Sequence, residues 1–214
     1  MMPVSVVVGG QFGSEGKGKV SLEIARSSKE PVTVVRVGGS NSGHTGYDLS
    51  GKEYSLRQLP AGCIDRNVNV VFPAGSYIDV DILLSEIEEL QFPEENIRIS
   101  SYARIITQEQ KAWEQGAGLI NSIGSTGSGV GGAVMASVAR GASNFSIDSL
   151  DAGHSAPLQK FLCDTSEVIR KRLKQRCRII LEGTQGFGLS LLEGGYWPKA
   201  TSRSTTAAGA LSEA

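Results

Sequence analysis

The chain has 214 residues, of which 40% are apolar and 20% charged, and its formal net charge is −1. That apolar share argues for a packed core and against disorder, and the near-neutral charge argues against nucleic acid as the main partner, so an anion site must be built locally. Cys63, Cys163 and Cys177 are far apart without metal-site spacing, and no stretch reaches the ~18 apolar residues of a membrane span; a reducing cytoplasm is the expected location, with no membrane partner.

Val4 to Val8 is a β-branched run of strand length, and a glycine-rich turn and a helix over 15–27 are expected after it. Val32 to Val37 and Val68 to Phe72 repeat the strand pattern. A helix over 79–90 follows, with Asp79 as N-cap, Leu83, Ile87 and Leu90 facing a core, and Glu86, Glu88 and Glu89 on a solvated face. The periodicity predicts further helices over 107–119 and 166–175, the latter with Lys171, Arg172 and Lys174 near its negative C-terminal end. Residues 123–132 and 140–155 have weak periodicity and read as loops, while Trp113 and Trp197 are expected to pack. Arg178 to Leu181 is a fourth strand. Apolar strands with little alternation are covered on both faces. Strands alternating with helices predict an α/β fold, with a mainly parallel sheet, flanking helices and phosphate-binding loops at the strand carboxyl ends.

Twenty-seven glycines is a high share, and they cluster. GSEGKGK at 13 to 19 departs from the Walker A spacing, which needs a glycine where Gln11 stands and a hydroxyl where Gly18 stands. Its chemistry still suits phosphate: Gly13, Gly16 and Gly18 let backbone amides approach an anion, a helix N-terminus follows, and Lys17 adds a full charge. Ser14, Glu15 and Lys19 complete the loop. The second cluster, GGSNSGHTG at 38 to 46, brings Asn41, Gly43 and His44 together, and an imidazole there can donate to a developing negative charge. IGSTGSGVGG at 123 to 132 offers Ser125, Thr126 and Ser128 to a second phosphate. Beyond Leu181 a strand ends in Glu-Gly and leads to Gln185, whose amide can read a carbonyl, and then to Thr201, Ser202 and Arg203.

In this order the four segments resemble the adenylosuccinate synthetase family, which is marked by a GDEGKGK-type loop, N-x-GHT, IGTTGxG and EG(A/T)QG…YP…TS…T(T/S)A. Here they read GSEGKGK, NSGHT at 41 to 45, IGSTGSG at 123 to 129, and EGTQGFGLSL…YWPKATSRSTTA at 182 to 207. The resemblance covers residues 1–214 as the N-terminal part of the family's ligase domain. It implies a carbon–nitrogen ligase of purine biosynthesis, in which a nucleoside triphosphate, GTP or ATP, phosphorylates O6 of a purine nucleoside monophosphate and L-aspartate displaces that phosphate. It further implies that Lys17 and the loop amides hold the transferring phosphate, that the Gly43 carbonyl meets Mg2+, and that His44 stabilises the leaving side of the donor. Asn41 and Gln185 would contact the base or its phosphate, and Thr126 and Thr201 the monophosphate, with Arg140 entering from a neighbouring subunit of a homodimer.

Ser14 stands where the family has an Asp that serves as general base. A carboxylate titrates near 3.9 and accepts a proton, whereas a neutral hydroxyl has no comparable basicity. The serine is shorter and uncharged, which opens space beside purine N1 and C2. The phage-type 2-aminoadenylosuccinate synthetases share this serine, as well as QFGS and SIGSTG, so dGMP or GMP is the expected acceptor. EGTQGFGLSL looks equally like the short archaeal-type members, which keeps IMP with GTP as an alternative; a non-catalytic purine-nucleotide-binding fragment is a third reading.

Overall fold

Residues 4–65 and 67–214 are described by the computed structural model. Strands β1 (Val4–Val7), β2 (Val32–Arg36), β5 (Val68–Phe72), β7 (Ile97–Ser100), β10 (Leu162–Cys163) and β11 (Arg178–Glu182) form one sheet. Their order is β1-β11-β2-β5-β7-β10, and every pairing in it is parallel. Two smaller sheets stand beside it. One is an antiparallel hairpin of β3 (His44–Tyr47) and β4 (Glu53–Leu56); the other joins the two-residue strands β6 (Tyr77–Ile78), β8 (Arg104–Ile105) and β9 (Leu150–Asp151).

Helices α1 (Lys17–Ser27) and α2 (Val80–Leu90) cover one face of the large sheet, where Leu22, Leu83, Ile87 and Leu90 pack with Val34, Val70, Ile97 and Ile180. The other face carries Val35, Val71, Ile179 and Leu181, packed with Val168, Ile169 and Leu173 of α6 (Thr165–Lys174) and with Ala210 of α7 (Ala207–Glu213). Burying each such branched side chain stabilises the fold by about 1.5–3 kcal/mol. Both faces of β2 and β5 are covered, and this is why VTVVR and VNVVF show so little alternation. The expected α/β architecture is the one observed.

Local signals act at the helix ends. Asp79 caps α2 by accepting from Ile82 N–H, and Thr107 and Gln110 form a reciprocal capping box that opens α3 (Gln108–Gly116). The helix expected over 107–119 is split, because Gly118 takes a left-handed φ of 69° before α4 (Leu119–Ile123). The loop expected over 123–132 holds only in part, since α5 (Val130–Ala139) begins inside it. Gly132 belongs to that helix because a Cβ there would lie 2.9 Å from the Gln110 carbonyl, so the glycine permits α5 to pack tightly on α3.

Two further expectations are corrected. Glu86 is 6% exposed instead of lying on a solvated face: its carboxylate accepts from the backbone N–H groups of Arg57, Gln58 and Leu59. Trp197 is 76% exposed and does not pack, while Trp113 is half-buried against Phe145. The hairpin β3–β4 was not legible either, because its strands are four residues long and the first, HTGY, carries no apolar run.

Candidate active site

Three neighbouring strands, β1, β11 and β2, end on the same side of the sheet, and each carries one of the glycine clusters on its carboxyl end. After β1 the chain turns through Gly13 (φ 105°) and Gly16 (φ 84°), both in the left-handed region that favours glycine, and enters α1 at Lys17. The helix was expected from Glu15; it starts two residues later because Gly16 adopts the left-handed cap. Lys17 is 3% exposed, and its Nζ donates to the Gly13 carbonyl at 2.7 Å and lies 3.6 Å from Glu15 Oε2. Burial pulls the Lys17 ammonium below its ordinary pKa, with Glu15 opposing that shift. Burial acts to raise the Glu15 carboxyl, but the N–H groups of Gln11, Gly13 and Glu15 itself outweigh it and hold this carboxyl below the usual range. Glu15 thus stiffens the loop from within, with Gln11 N–H only 2.5 Å from its Oε1.

Gly13, Ser14, Gly16, Lys17, Gly18 and Lys19 line a cleft of about 290 Å³ together with Gly43, His44 and Thr45. Glu15 does not face it, and the Lys19 ammonium is drawn 5.4 Å above the Tyr47 ring. His44 opens β3 and is buried. Its Nδ1 lies 2.5 Å from Oε1 of Glu182, which is itself fully buried at the end of β11. The same carboxylate accepts from Ala61 N–H at 3.0 Å, Gly62 N–H at 3.2 Å and Arg36 at 3.4 Å. Burial acts to raise the Glu182 carboxyl, yet its contact with His44, the Arg36 charge and the Ala61 amide keep it low and ionised. Burial and then the Arg36 charge pull the imidazole pKa down, with the Glu182 carboxylate opposing them. An ionised carboxylate only accepts; Nδ1 therefore carries the hydrogen.

Arg36 and Glu182 were missed as site residues. A signal existed: each is the one charge that ends an otherwise uncharged core-strand run, VTVVR and IILE, and a charge buried in a strand must be paired. Register places the two opposite each other on adjacent strands.

A second cleft, of about 210 Å³, is lined by Asn41, Ser125, Thr126, Ser128, Gln185, Thr201 and Ser202, together with Glu114 and Lys199. Gln185 reaches it with a φ of 64°, uncommon for a residue with a side chain. Glu114 was not foreseen; its carboxylate accepts from Gly129 N–H, Gly132 N–H and the Ser125 hydroxyl, tying the hydroxyl loop to α3. Lys199 was not foreseen either. Arg140 lines neither cleft; it is exposed at the C-terminal end of α5 with a φ of 53°. Arg203 is engaged elsewhere, donating to Glu213 at 2.9 Å and stacking over Tyr77.

A sequence profile of the adenylosuccinate synthetase family matches residues 6–152. The chain belongs to the adenylosuccinate synthetase family. The adenylosuccinate synthetase of Pyrococcus sp. is 36% identical over 210 residues, spanning 96% of this chain and 59% of that protein. The enzyme of the same name from Methanococcus aeolicus is 36% identical over 218 residues, spanning 99% and 61%. The chain therefore covers about 60% of the length of these curated relatives. Among solved structures, the fully ligated adenylosuccinate synthetase of Plasmodium falciparum shares the fold, with a TM-score of 0.84 at 22% identity over 58% of its chain. The succinoaminodeoxyadenylate synthetase of cyanophage S-2L, bound to dGMP and dATP as energy donor, aligns with a TM-score of 0.83 at 27% identity over 59% of its chain. Both cover the whole of this chain.

Adenylosuccinate synthetase membership makes metal fit a relevant question. Mg2+ prefers six hard oxygen ligands and usually keeps waters and substrate phosphates in its shell. The first cleft offers a backbone carbonyl at Gly43 and the Ser14 hydroxyl, and no group of three or more acidic, His or Cys side chains suited to a metal occurs among the described residues. Those oxygens fit an ion carried in by phosphates, not one caged by the protein. No helix among the described residues is long and apolar enough to cross a membrane.

Proposed function

We propose that the chain carries the phosphoryl-transfer half of a ligase that joins L-aspartate to C6 of a purine nucleoside monophosphate. The observation that carries this reading is that Lys17 and His44 line one cleft, while hydroxyls and amides line a second. Lys17 and the loop amides hold the γ-phosphoryl group as it leaves the triphosphate for O6, and the purine N1 gives up its proton. The nucleoside diphosphate departs. The amine of L-aspartate then attacks C6, the C6–O bond breaks, and O6 leaves within inorganic phosphate. Such transfer depends on positioning and charge neutralisation; the Gly43 carbonyl would help hold a phosphate-borne Mg2+, which would supply part of that neutralisation. Asn41, Gln185, Thr126, Thr201, Ser125 and Ser202 hold the acceptor nucleotide, and the donor is GTP or ATP. In this reading Arg140 acts across a homodimer. Free thiols at Cys63, Cys163 and Cys177 suit a reducing cytoplasm.

The acceptor is dGMP or GMP. Ser14 is exposed at the cleft, short and uncharged, leaving room for an exocyclic amine at C2, and another group accepts the N1 proton. The dGMP complex of the phage S-2L relative supports this choice over IMP. The test is phosphate release with Mg2+, GTP or ATP, L-aspartate and each of dGMP, GMP and IMP. Release that requires donor, aspartate and a 2-amino acceptor is expected; turnover of IMP alone sinks the acceptor assignment, and no aspartate-dependent release supports a nucleotide binder without ligase activity. Ser14→Asp should move the dGMP-to-IMP ratio of kcat/KM toward IMP by at least ~10-fold, because it places a charged carboxylate where the 2-amino group sits.

Gly18 offers a steric check on the same arrangement. A Cβ at this position would lie 2.8 Å from His44 Cβ and 2.9 Å from Ala61 Cβ. Gly18→Ala is expected to push the imidazole aside and slow phosphate release about 100-fold, the scale of a misplacement near 1 Å. An unchanged rate in steady-state assays would remove His44 from the reaction.

A further inference from the structure

We propose that Glu182 is a positioning residue for His44: its carboxylate accepts from Nδ1–H and holds the imidazole in that tautomer and one ring pose, so that Nε2 is the nitrogen that takes up a proton before it donates to a phosphate oxygen. The catalytic consequence rests on the phosphoryl-transfer reading above; the tautomer does not.

Four donors converge on this carboxylate. His44 Nδ1 is the nearest at 2.5 Å, Ala61 N–H and Gly62 N–H follow at 3.0 and 3.2 Å, and Arg36 stands at 3.4 Å. They come from three separate segments, none within a hundred residues of Glu182 in sequence. Glu182 lies at 0% exposure, where an ionised carboxylate is tolerated only with its oxygens satisfied and an opposite charge near. Arg36 supplies that charge at 1% exposure and also donates to the carbonyls of Ser42 and Arg57, so the guanidinium ties the His44 loop to the end of the hairpin. Its NH1 lies 3.0 Å from Nδ1 and 3.3 Å from Nε2; a guanidinium only donates, so with the hydrogen on Nδ1 it is Nε2 that can accept from it. Nε2 has only longer contacts, to Arg36 NH1 at 3.3 Å and to the Ser42 hydroxyl at 3.4 Å. The carboxylate at 2.5 Å thus holds Nδ1 more closely than any neighbour holds Nε2. This is the logic by which a carboxylate fixes ring orientation in other histidine sites.

The experiment reads the tautomer first, at one fixed pH, by two-bond proton–nitrogen correlation spectra of the full chain labelled with 15N. The chain has two histidines, and His154→Gln removes the other signal. A pyrrole-type Nδ1 and a pyridine-type Nε2 on His44 are expected; the reverse overturns the proposal without any variant having to fold. Glu182→Gln should then shift the population toward Nε2–H and lower kcat about 10- to 100-fold, with KM for the triphosphate changing less than about 3-fold. The double variant with His44→Ala should be no slower than His44→Ala alone, since a residue acting through another adds nothing once that one is gone. Additive losses would assign Glu182 a role in packing only and overturn it. A wild type with the expected tautomer but no turnover removes the ligase reading and leaves the positioning of His44 standing.

Discussion

Lys17→Met is expected to lower the rate of aspartate-dependent phosphate release by about 1,000-fold while leaving the thermal midpoint within a few degrees of wild type. The thioether occupies nearly the same volume, so packing is kept. What is lost is the ammonium of the first residue of α1, which donates to the Gly13 carbonyl at 2.7 Å at the phosphate cleft. A transferring phosphoryl group develops charge over its oxygens, and removing one preorganised donor typically costs two to three orders of magnitude in kcat. The neighbouring lysine is no substitute, because the Lys19 ammonium is held over Tyr47. Stopped-flow or coupled phosphate assays on the purified chain check this. A variant that keeps more than a tenth of the wild-type rate would show that the loop does not grip the group in transfer.

Glu86→Ala is expected to destabilise the fold by about 3 kcal/mol, read as a drop in the urea midpoint at unchanged slope. The carboxylate accepts from Arg57 N–H at 2.6 Å, Leu59 N–H at 2.7 Å and Gln58 N–H at 3.0 Å. Removing it strands buried amides, each costing about 1–3 kcal/mol when left without a partner. Glu86→Gln keeps one acceptor oxygen and should lose about half as much. Burial raises the Glu86 carboxyl above its usual range, with the Arg57, Leu59 and Gln58 amides opposing the shift, so the interior tolerates the charge only through those amides. The same contacts have a functional reach. Residues 57–59 lead into Ala61 and Gly62, whose N–H groups hold Glu182, and Glu182 holds His44. A loss below 0.5 kcal/mol in Glu86→Ala would mean that water enters and replaces the carboxylate.

How much of this was legible before folding differs by residue. The phosphate loop was readable because its requirements are local: a glycine at φ 105° and another at φ 84° can be inferred from GSEGKGK after a strand, without knowing what packs around it. The α2 stripe Leu83, Ile87 and Leu90 was likewise readable from spacing alone. Glu86 was misread from the same helix, since a carboxylate between apolar positions looks solvated until the hairpin-side loop is known to turn three amides toward it. Glu114 and Lys199 carried no periodic or motif signal, and they enter the second cleft through the packing of α3 and the crossing of the chain after β11.

By itself the sequence determined the alternation of strands and helices, the four glycine-rich clusters and their order, and the serine at position 14; each follows from dihedral preference or side-chain chemistry within a few consecutive residues. Only the tertiary structure decided which charges are buried and what they face, as with Arg36, Glu86 and Glu182. The physical reason is that solvation of a charge depends on groups brought from distant segments, and Glu182 meets His44 across 138 residues of chain that no local pattern spans.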